Sequence, residues 1–117
     1  MSILLILNDA PYGSERSYNG LRLAIALLKN PNAGTVSVFL IADAVLCAKR
    51  GQKTPDGYYN IERMFRRVSA AGGVVLLCGT CMDARGLAEE ELVEGAVRSS
   101  MDELAAHTAG ADKVLVF

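Results

Sequence analysis

The stretch Gly72-Gly73-Val74-Val75-Leu76-Leu77-Cys78-Gly79-Thr80-Cys81 decides the fold of this chain. Two glycines interrupt the chain before a short apolar run, and a Cys-x-x-Cys motif follows that run directly. An apolar run without alternation is typical of a strand that is buried on both faces, as in a parallel sheet. We therefore predict a buried strand over Val74–Leu77 with a pair of thiols at its carboxyl end.

Similar apolar runs recur on both sides of this stretch. Because segments with helical periodicity separate them, their order predicts an α/β domain with a parallel sheet and helices on both faces. At 117 residues the chain is expected to form a single domain over residues 1–117. The further strands are predicted at Ser2–Leu7, Thr35–Ile41, Gly95–Val97 and Lys113–Phe117.

Three longer segments carry apolar residues at helical spacing. The clearest stripe lies in Ile61–Val68, where apolar residues stand at relative positions 0, 3, 4 and 7. The connection Arg50–Asn60 contains two glycines and a proline and is predicted as a loop, and Cys78–Gly86 as a loop or first helical turn. The predicted helices follow the N-cap residues Ser14, Asn60 and Ser100, and shorter helical pieces are expected over Asp43–Lys49 and Leu87–Leu92.

The composition limits the environment of the protein. Hydrophobic residues make up 51% of the chain, charged residues only 21%, and the mean hydropathy is +0.25. A spanning helix needs about 20 apolar residues in a row, and runs such as Leu23–Leu28 are far shorter. No basic residue opens the chain as a secretory signal requires. We expect a cytoplasmic protein without a membrane partner, whose apolar excess is covered in a homo-oligomer.

The charged residues of the chain do not form the excess of positive charge that nucleic-acid binding needs. Twelve lysines and arginines stand against thirteen aspartates and glutamates, which gives a net charge of −1. Binding to a phosphate backbone needs a basic patch or stripe, and none is present, so nucleic acid is not expected as a partner. The chain also lacks the glycine-rich motifs that bind phosphates or dinucleotides, and neither a metal nor a cofactor is predicted.

The three cysteines are the main candidates for chemistry. Their odd number does not suit a disulfide framework. Cys78 and Cys81 follow a predicted strand, and open α/β sheets place their chemistry at the carboxyl ends of strands. The thiolate is the reactive form of cysteine, and the local field sets its population. Arg85 would favour the thiolate and Asp83 would oppose it, and the sequence does not rank the two effects.

Four interpretations of the Cys-x-x-Cys motif remain open. A thioredoxin-like redox pair would need a later proline for its fold, and all three prolines precede the motif. A structural zinc site needs four ligands, and only the third cysteine and His107 are available besides the pair. A persulfide carrier needs one reactive cysteine at an accessible strand end. In the fourth interpretation both residues are small, inert and half-buried.

Other residues are weaker candidates. His107 lies on the last predicted helix and is interpreted as a surface or packing residue. Tyr12, Tyr58 and Tyr59 lie in loops, where they can line a site or anchor an interface between subunits. The arginines near Arg63 are interpreted as the solvated face of their helix.

The whole chain resembles a known family. The resemblance is to the DsrE/DsrF-like family of small sulfur-relay proteins, nearest its YchN-like subgroup. Each matching piece is short, but together they occur in order across one chain. The pieces are Ala10–Glu15, Leu21–Leu27, Asp43–Val45, Arg50–Lys53, Tyr59–Ile61, Leu77-Cys78-x-Thr80-Cys81-x-Asp83-x-Arg85-Gly86 and Ala111–Leu115.

The resemblance implies both a fold and an activity. The implied fold is a three-layer α/β/α domain with a five-stranded, mainly parallel sheet, assembled into homohexamers. The implied activity is the transfer of sulfur, held as a persulfide on a cysteine after the third strand, between donor and acceptor proteins. Cys78 matches that position, whereas Cys81 has no counterpart in many relay proteins and would either resolve a persulfide or be structural.

Besides a sulfur carrier or sulfurtransferase component, two further classes of function remain open. One is a non-catalytic oligomeric binding module with pockets between subunits, lined by loop residues such as Tyr12 and Arg50. The other is a dithiol redox protein that uses Cys78 and Cys81. The candidate site residues are therefore the cysteine pair, with Tyr12, Arg50 and Arg85 around it.

Overall fold

The computed structural model describes residues 1–117 and contains five strands and four α-helices. Helix and strand alternate, as the apolar runs and the helical stripes between them predict. Two short 3-10 segments, Ala42–Ala48 and Glu89–Glu91, lie in the connections. The elements are β1 (Ser2–Leu7), α1 (Arg16–Leu28), β2 (Thr35–Leu40), α2 (Ile61–Ala70), β3 (Val74–Cys78), α3 (Gly79–Ala84), β4 (Ala96–Ser99), α4 (Met101–Gly110) and β5 (Lys113–Val116).

The strands form one sheet in the order β4-β3-β2-β1-β5, and all of its neighbouring strands are parallel. The chain steps from β1 to β4 in one direction and then returns across the sheet to β5. Right-handed crossovers therefore place α1 and α2 on one face and α4 on the other. This confirms the α/β class and the three layers, and the sheet is wholly rather than mainly parallel.

The core lies mainly between the sheet and the α1–α2 layer. Leu5, Leu7, Leu40 and Leu77 are fully buried in the inner strands, and Phe65 of α2 is buried with them. The stripe predicted on α2 is confirmed, since its apolar residues are all buried. The stripe predicted on α4 is only partly right, because Leu104 is buried but Met101 is 59% exposed.

Two of the three predicted N-caps are present. The side chains of Asn60 and Ser100 accept hydrogen bonds from backbone N–H groups in the first turns of α2 and α4. The prediction for Ser14 was wrong, because its hydroxyl donates instead to the Asp9 carboxylate at 2.7 Å and the helix begins at Arg16.

Two segments near the motif also differ from their predictions. The helix expected over Leu87–Leu92 shrinks to the 3-10 turn Glu89–Glu91, because the backbone around it pairs with another segment and the carbonyl of Glu91 accepts from the Arg50 N–H at 2.8 Å. Leu92 is instead extended and forms an isolated antiparallel bridge with Lys49. The segment after β3, by contrast, is a full short helix, α3.

Candidate functional site

The two cysteines of the motif lie side by side at the carboxyl edge of the sheet. Cys78 is the last residue of β3, and Cys81 lies in the first turn of α3. Cys78 is only 5% exposed, whereas Cys81 is half-buried. The end of the neighbouring strand β2 packs against them, because β2 pairs with β3 along Ser37–Leu40. The structure therefore brings the predicted thiols together at the edge where open α/β sheets carry their chemistry.

Cys78 is surrounded by hydrogen-bond donors. Its Sγ lies 3.3 Å from the Thr80 Oγ1. Burial opposes ionisation, but hydrogen bonds from the Cys81 thiol, the Thr80 hydroxyl and the backbone N–H groups of both residues outweigh it. Together they lower the pKa of Cys78 below the ordinary thiol value. Cys78 is therefore the thiol of the pair that ionises more readily.

Cys81 has the opposite tendency. Burial and the adjacent Cys78 raise the pKa of the Cys81 thiol, although the N–H of Ala42 and the charge of Arg85 act against them. The Ala42 N–H donates to the Cys81 Sγ at 3.3 Å. The pair thus consists of one thiol that ionises readily and one that keeps its proton.

Ala42 reaches Cys81 through an unusual backbone conformation. Its φ is +55°, and it is the only non-glycine residue of the chain with a positive φ. The left-handed region costs an L-residue with a Cβ about 1–2 kcal/mol. The strain is located at the end of β2, where the Ala42 N–H meets the sulfur of Cys81.

Two arginine–aspartate pairs frame the cysteines. Arg85 binds Asp43 at 2.9 Å and donates to the carbonyl oxygen of Cys81 at 3.1 Å. Arg98 binds both carboxylate oxygens of Asp83, at 2.7 and 2.9 Å, and this partner lowers the pKa of Asp83. The sequence left Arg85 and Asp83 as opposing charges, and the structure pairs each of them with an opposite charge of its own.

Arg98 is the site residue that the sequence reasoning missed. Its guanidinium covers Gly79, where an added Cβ would lie only 2.7 Å from the Arg98 Nε. The predicted strand ended at Val97, but β4 continues through Ser99, which is paired with Cys78. Extending that strand by two residues and pairing it with β3 would have placed Arg98 beside the motif.

Two of the predicted pocket residues lie elsewhere. The Tyr12 hydroxyl donates to the Gln52 side-chain oxygen at 2.9 Å and accepts from the Ile61 N–H at 3.2 Å. Arg50 donates to the backbone carbonyls of Leu92, at 3.0 Å, and of Glu90. Both side chains stabilise the long loop after β2 through these hydrogen bonds, and neither forms a hydrogen bond or an ion pair with the side chains of Cys78 and Cys81.

The four tyrosines form one cluster beside that loop. Tyr59 stacks on Tyr18 at 4.2 Å and on Tyr58 at 4.6 Å between ring centroids, and Tyr12 packs on both loop tyrosines. Burial and the neighbouring Tyr58 raise the pKa of Tyr59 to about 12. The cluster ties α1 to the start of α2.

The third cysteine belongs to the core. Cys47 is fully buried, and its Sγ contacts the carbonyl oxygen of Asp9 at 3.5 Å. Burial raises the pKa of Cys47 to about 12, so this residue stays a thiol at neutral pH. His107 lies on α4, away from the thiols. No group of three or more His, Cys, Asp or Glu side chains is arranged to hold a metal ion, and no helix is both long and apolar enough to cross a bilayer.

The fold and the site define a class: a parallel α/β domain with a thiol pair at the end of an inner strand. The sequence model of the DsrE/DsrF-like family matches residues 1–117. The chain belongs to the DsrE/DsrF-like family, and it is therefore a protein of the sulfur-relay-related kind.

Individual relatives match over the same extent. Protein YchN of Escherichia coli K12 is 44% identical over 115 residues, which cover 98% of this chain and 97% of that protein. Protein MJ0989 of Methanocaldococcus jannaschii is 39% identical over 118 residues and the full length of both chains. The crystal structure of E. coli YchN superposes with a TM-score of 0.94 and covers 100% of this chain and 99% of its own. BT1422 from Bacteroides thetaiotaomicron, 20% identical with a TM-score of 0.67 over 98% of this chain and 94% of its own, shares the fold.

Proposed function

We propose that this protein accepts sulfur as a persulfide on Cys78 and passes it on, as a sulfurtransferase component. The observation that carries the proposal is the set of donors around one buried sulfur at a strand end. The Cys81 thiol, the Thr80 hydroxyl and two backbone N–H groups all favour the thiolate of Cys78. Family membership supports the sulfur chemistry.

The proposed loading step is a thiolate attack on a persulfide. The Cys78 thiolate attacks the outer sulfur of a donor R–S–SH, and a new S–S bond forms while the donor S–S bond breaks. The donor leaves as R–S⁻ with the bonding electron pair, and Cys78 becomes Cys–S–SH. A nucleophile of the acceptor then takes the outer sulfur and returns Cys78 to its thiolate. Because the step needs Cys78 as a free thiol, we place the protein in the cytoplasm, where thiols stay reduced.

We also propose that the protein works as a homo-oligomer, a hexamer as in the family, with separate donor and acceptor proteins as partners. The support comes from the sheet face that carries α4. Val97 of β4 and Val116 of β5 stand in the same row of paired residues across the sheet, at its two edges. Residues of one row share a face, and for this row it is the face that carries α4. The two valines are 50% and 65% exposed, and Met101 on α4 is 59% exposed. A ten-residue helix covers this face incompletely, and a second copy would bury the rest.

The test is the mass of the protein after exposure to a sulfur donor. Incubation with a cysteine desulfurase and cysteine is expected to add about 32 Da, the mass of one sulfur atom, to Cys78. Cys78→Ser should lose the adduct, and Cys47→Ser is the matched control because Cys47 is buried in the core. Absence of the adduct from Cys81→Ser as well as from the wild type, under conditions that load a known carrier, would refute the proposal.

A second candidate, a binding module, is favoured by a different surface. A groove of about 590 Å³ lies between α1 and α2, lined by Tyr18 and Tyr59 and by four cationic side chains without a carboxylate. Arg66 points elsewhere and binds Glu62 at 2.6 Å. The cations of the groove are Arg22, Lys29, Arg63 and Arg67. An anionic ligand would suit it, and this function would gain if Cys78 alkylates no faster than a free thiol.

A further inference from the structure

The role of Cys81 follows from how the structure holds it. Cys81 is not a core-filling residue, because it is half-buried, whereas Cys47 is fully buried. Cys81 lies in the first turn of α3, three residues after Cys78 at the end of β3, and each thiol shifts the pKa of the other. This is the Cys-x-x-Cys spacing of redox pairs, in which a disulfide closes across one helical turn.

The neighbouring strand holds the Cys81 sulfur from the other side. The Ala42 N–H donates to it at 3.3 Å from a left-handed backbone conformation. Strain of this kind persists only where surrounding structure imposes it, and it collects at functional sites. Arg85 adds a cation at the carbonyl of Cys81, and the charge of Arg85 favours the Cys81 thiolate. Both the donor and the cation favour the Cys81 thiolate against the burial that raises its pKa.

We propose that Cys81 is the resolving thiol of the site, which releases the sulfur carried by Cys78 as hydrogen sulfide by closing a Cys78–Cys81 disulfide. The inference rests on the proposed loading of Cys78. It makes the protein a reducer of persulfides, with sulfide as the product, and not only a carrier.

The step balances within the two residues. The Cys81 thiolate attacks the inner sulfur of Cys78–S–SH, three residues away across the first turn of α3. The bond between the inner and outer sulfurs breaks, and the outer sulfur leaves as HS⁻ with the electron pair. The proton that Cys81 gave up converts HS⁻ to H₂S. The two cysteines are oxidised to a disulfide, the outer sulfur is reduced to sulfide, and a dithiol reductant returns the pair to its starting state.

The experiment follows one turnover in the absence of reductant. Reduced protein is loaded with inorganic polysulfide, desalted, and examined by intact mass and by a sulfide-trapping bimane assay. Wild type is expected to end two hydrogens lighter than the reduced protein and to release about one sulfide per chain, whereas Cys81→Ser should keep the adduct and release at least about tenfold less sulfide. Cys47→Ser should behave as wild type, and Cys81→Ala repeats the test with a smaller side chain.

The outcomes separate this inference from the proposed function. An adduct that persists equally in wild type and in Cys81→Ser, with no disulfide, would overturn the resolving role and leave the carrier function standing. The absence of both adduct and disulfide in all variants would overturn the loading step as well. A disulfide without sulfide release would also overturn the inference, and it would identify a dithiol redox protein.

Discussion

Replacing Thr80 by valine tests whether hydrogen bonding activates Cys78. The substitution keeps the shape of the side chain and removes the hydroxyl, whose oxygen lies 3.3 Å from the Cys78 Sγ. A hydrogen bond to a charged group contributes about 1.5–3 kcal/mol, and sulfur as a weak acceptor belongs at the lower end. Because 1.36 kcal/mol corresponds to a factor of about ten, the thiolate population near neutral pH should fall about tenfold.

The assay is the rate of alkylation as a function of pH. Iodoacetamide reacts with the thiolate, and peptide mass spectrometry assigns the label to one cysteine. The lowered pKa of Cys78 predicts labelling at lower pH than for a free thiol, and Thr80→Val should move the profile to higher pH. Thr108→Val is the matched control, because that hydroxyl donates to the Leu104 carbonyl in α4. If the Thr80→Val profile superimposed on the wild-type profile, the side-chain donor would have no role in activating Cys78.

Three further predictions concern stability. Burial raises the pKa of Cys47 from 9.0 to about 12, so the stability that the buried thiol contributes is complete below pH 9 and is lost as the pH rises from 9 towards 12. The free energy of unfolding of the wild type in urea should therefore fall between pH 8 and pH 10, and about 1.4 kcal/mol of that fall should be absent in Cys47→Ala. Asn60→Ala should cost about 1 kcal/mol in the same assay at neutral pH, because the cap that accepts the Arg63 N–H is lost. Ala42→Gly should stabilise the fold by about 0.5–1 kcal/mol, since glycine tolerates a φ of +55°, and should leave the N–H at Cys81 in place; a loss of stability would contradict the strain assigned to Ala42.

The strands and α2 were predictable because each is specified by residues close together in the chain. Val74–Leu77 is an uninterrupted apolar run, and such runs have few alternatives to a buried strand. The stripe in Ile61–Val68 fixes which side of α2 faces the sheet. The thiol pair was predictable for the same reason, since the motif follows β3 directly.

The rest of the site depends on contacts that no local pattern encodes. Arg98 reaches the motif only because β4 pairs with β3 and continues beyond Val97, where the predicted strand ended. The Ala42 N–H reaches Cys81 because β2 is the other neighbour of β3 and the chain turns sharply where β2 ends. Tyr12 and Arg50 are polar loop residues of the kind that line pockets, but the fold uses both to fasten a loop.

The difference between the two thiols arises from the turn that the motif forms and from the strand beside it. Within Cys-Gly-Thr-Cys the two residues are chemically equivalent, and either could be the nucleophile. Cys78 becomes the more acidic because it ends a buried strand and collects the donors of the turn that follows. Cys81 keeps its proton because burial and the neighbouring Cys78 raise its pKa, although the Ala42 N–H of the adjacent connection donates to its sulfur. The motif therefore supplies the donors of Cys78, whereas the packing of the chain beyond β2 supplies the donor of Cys81.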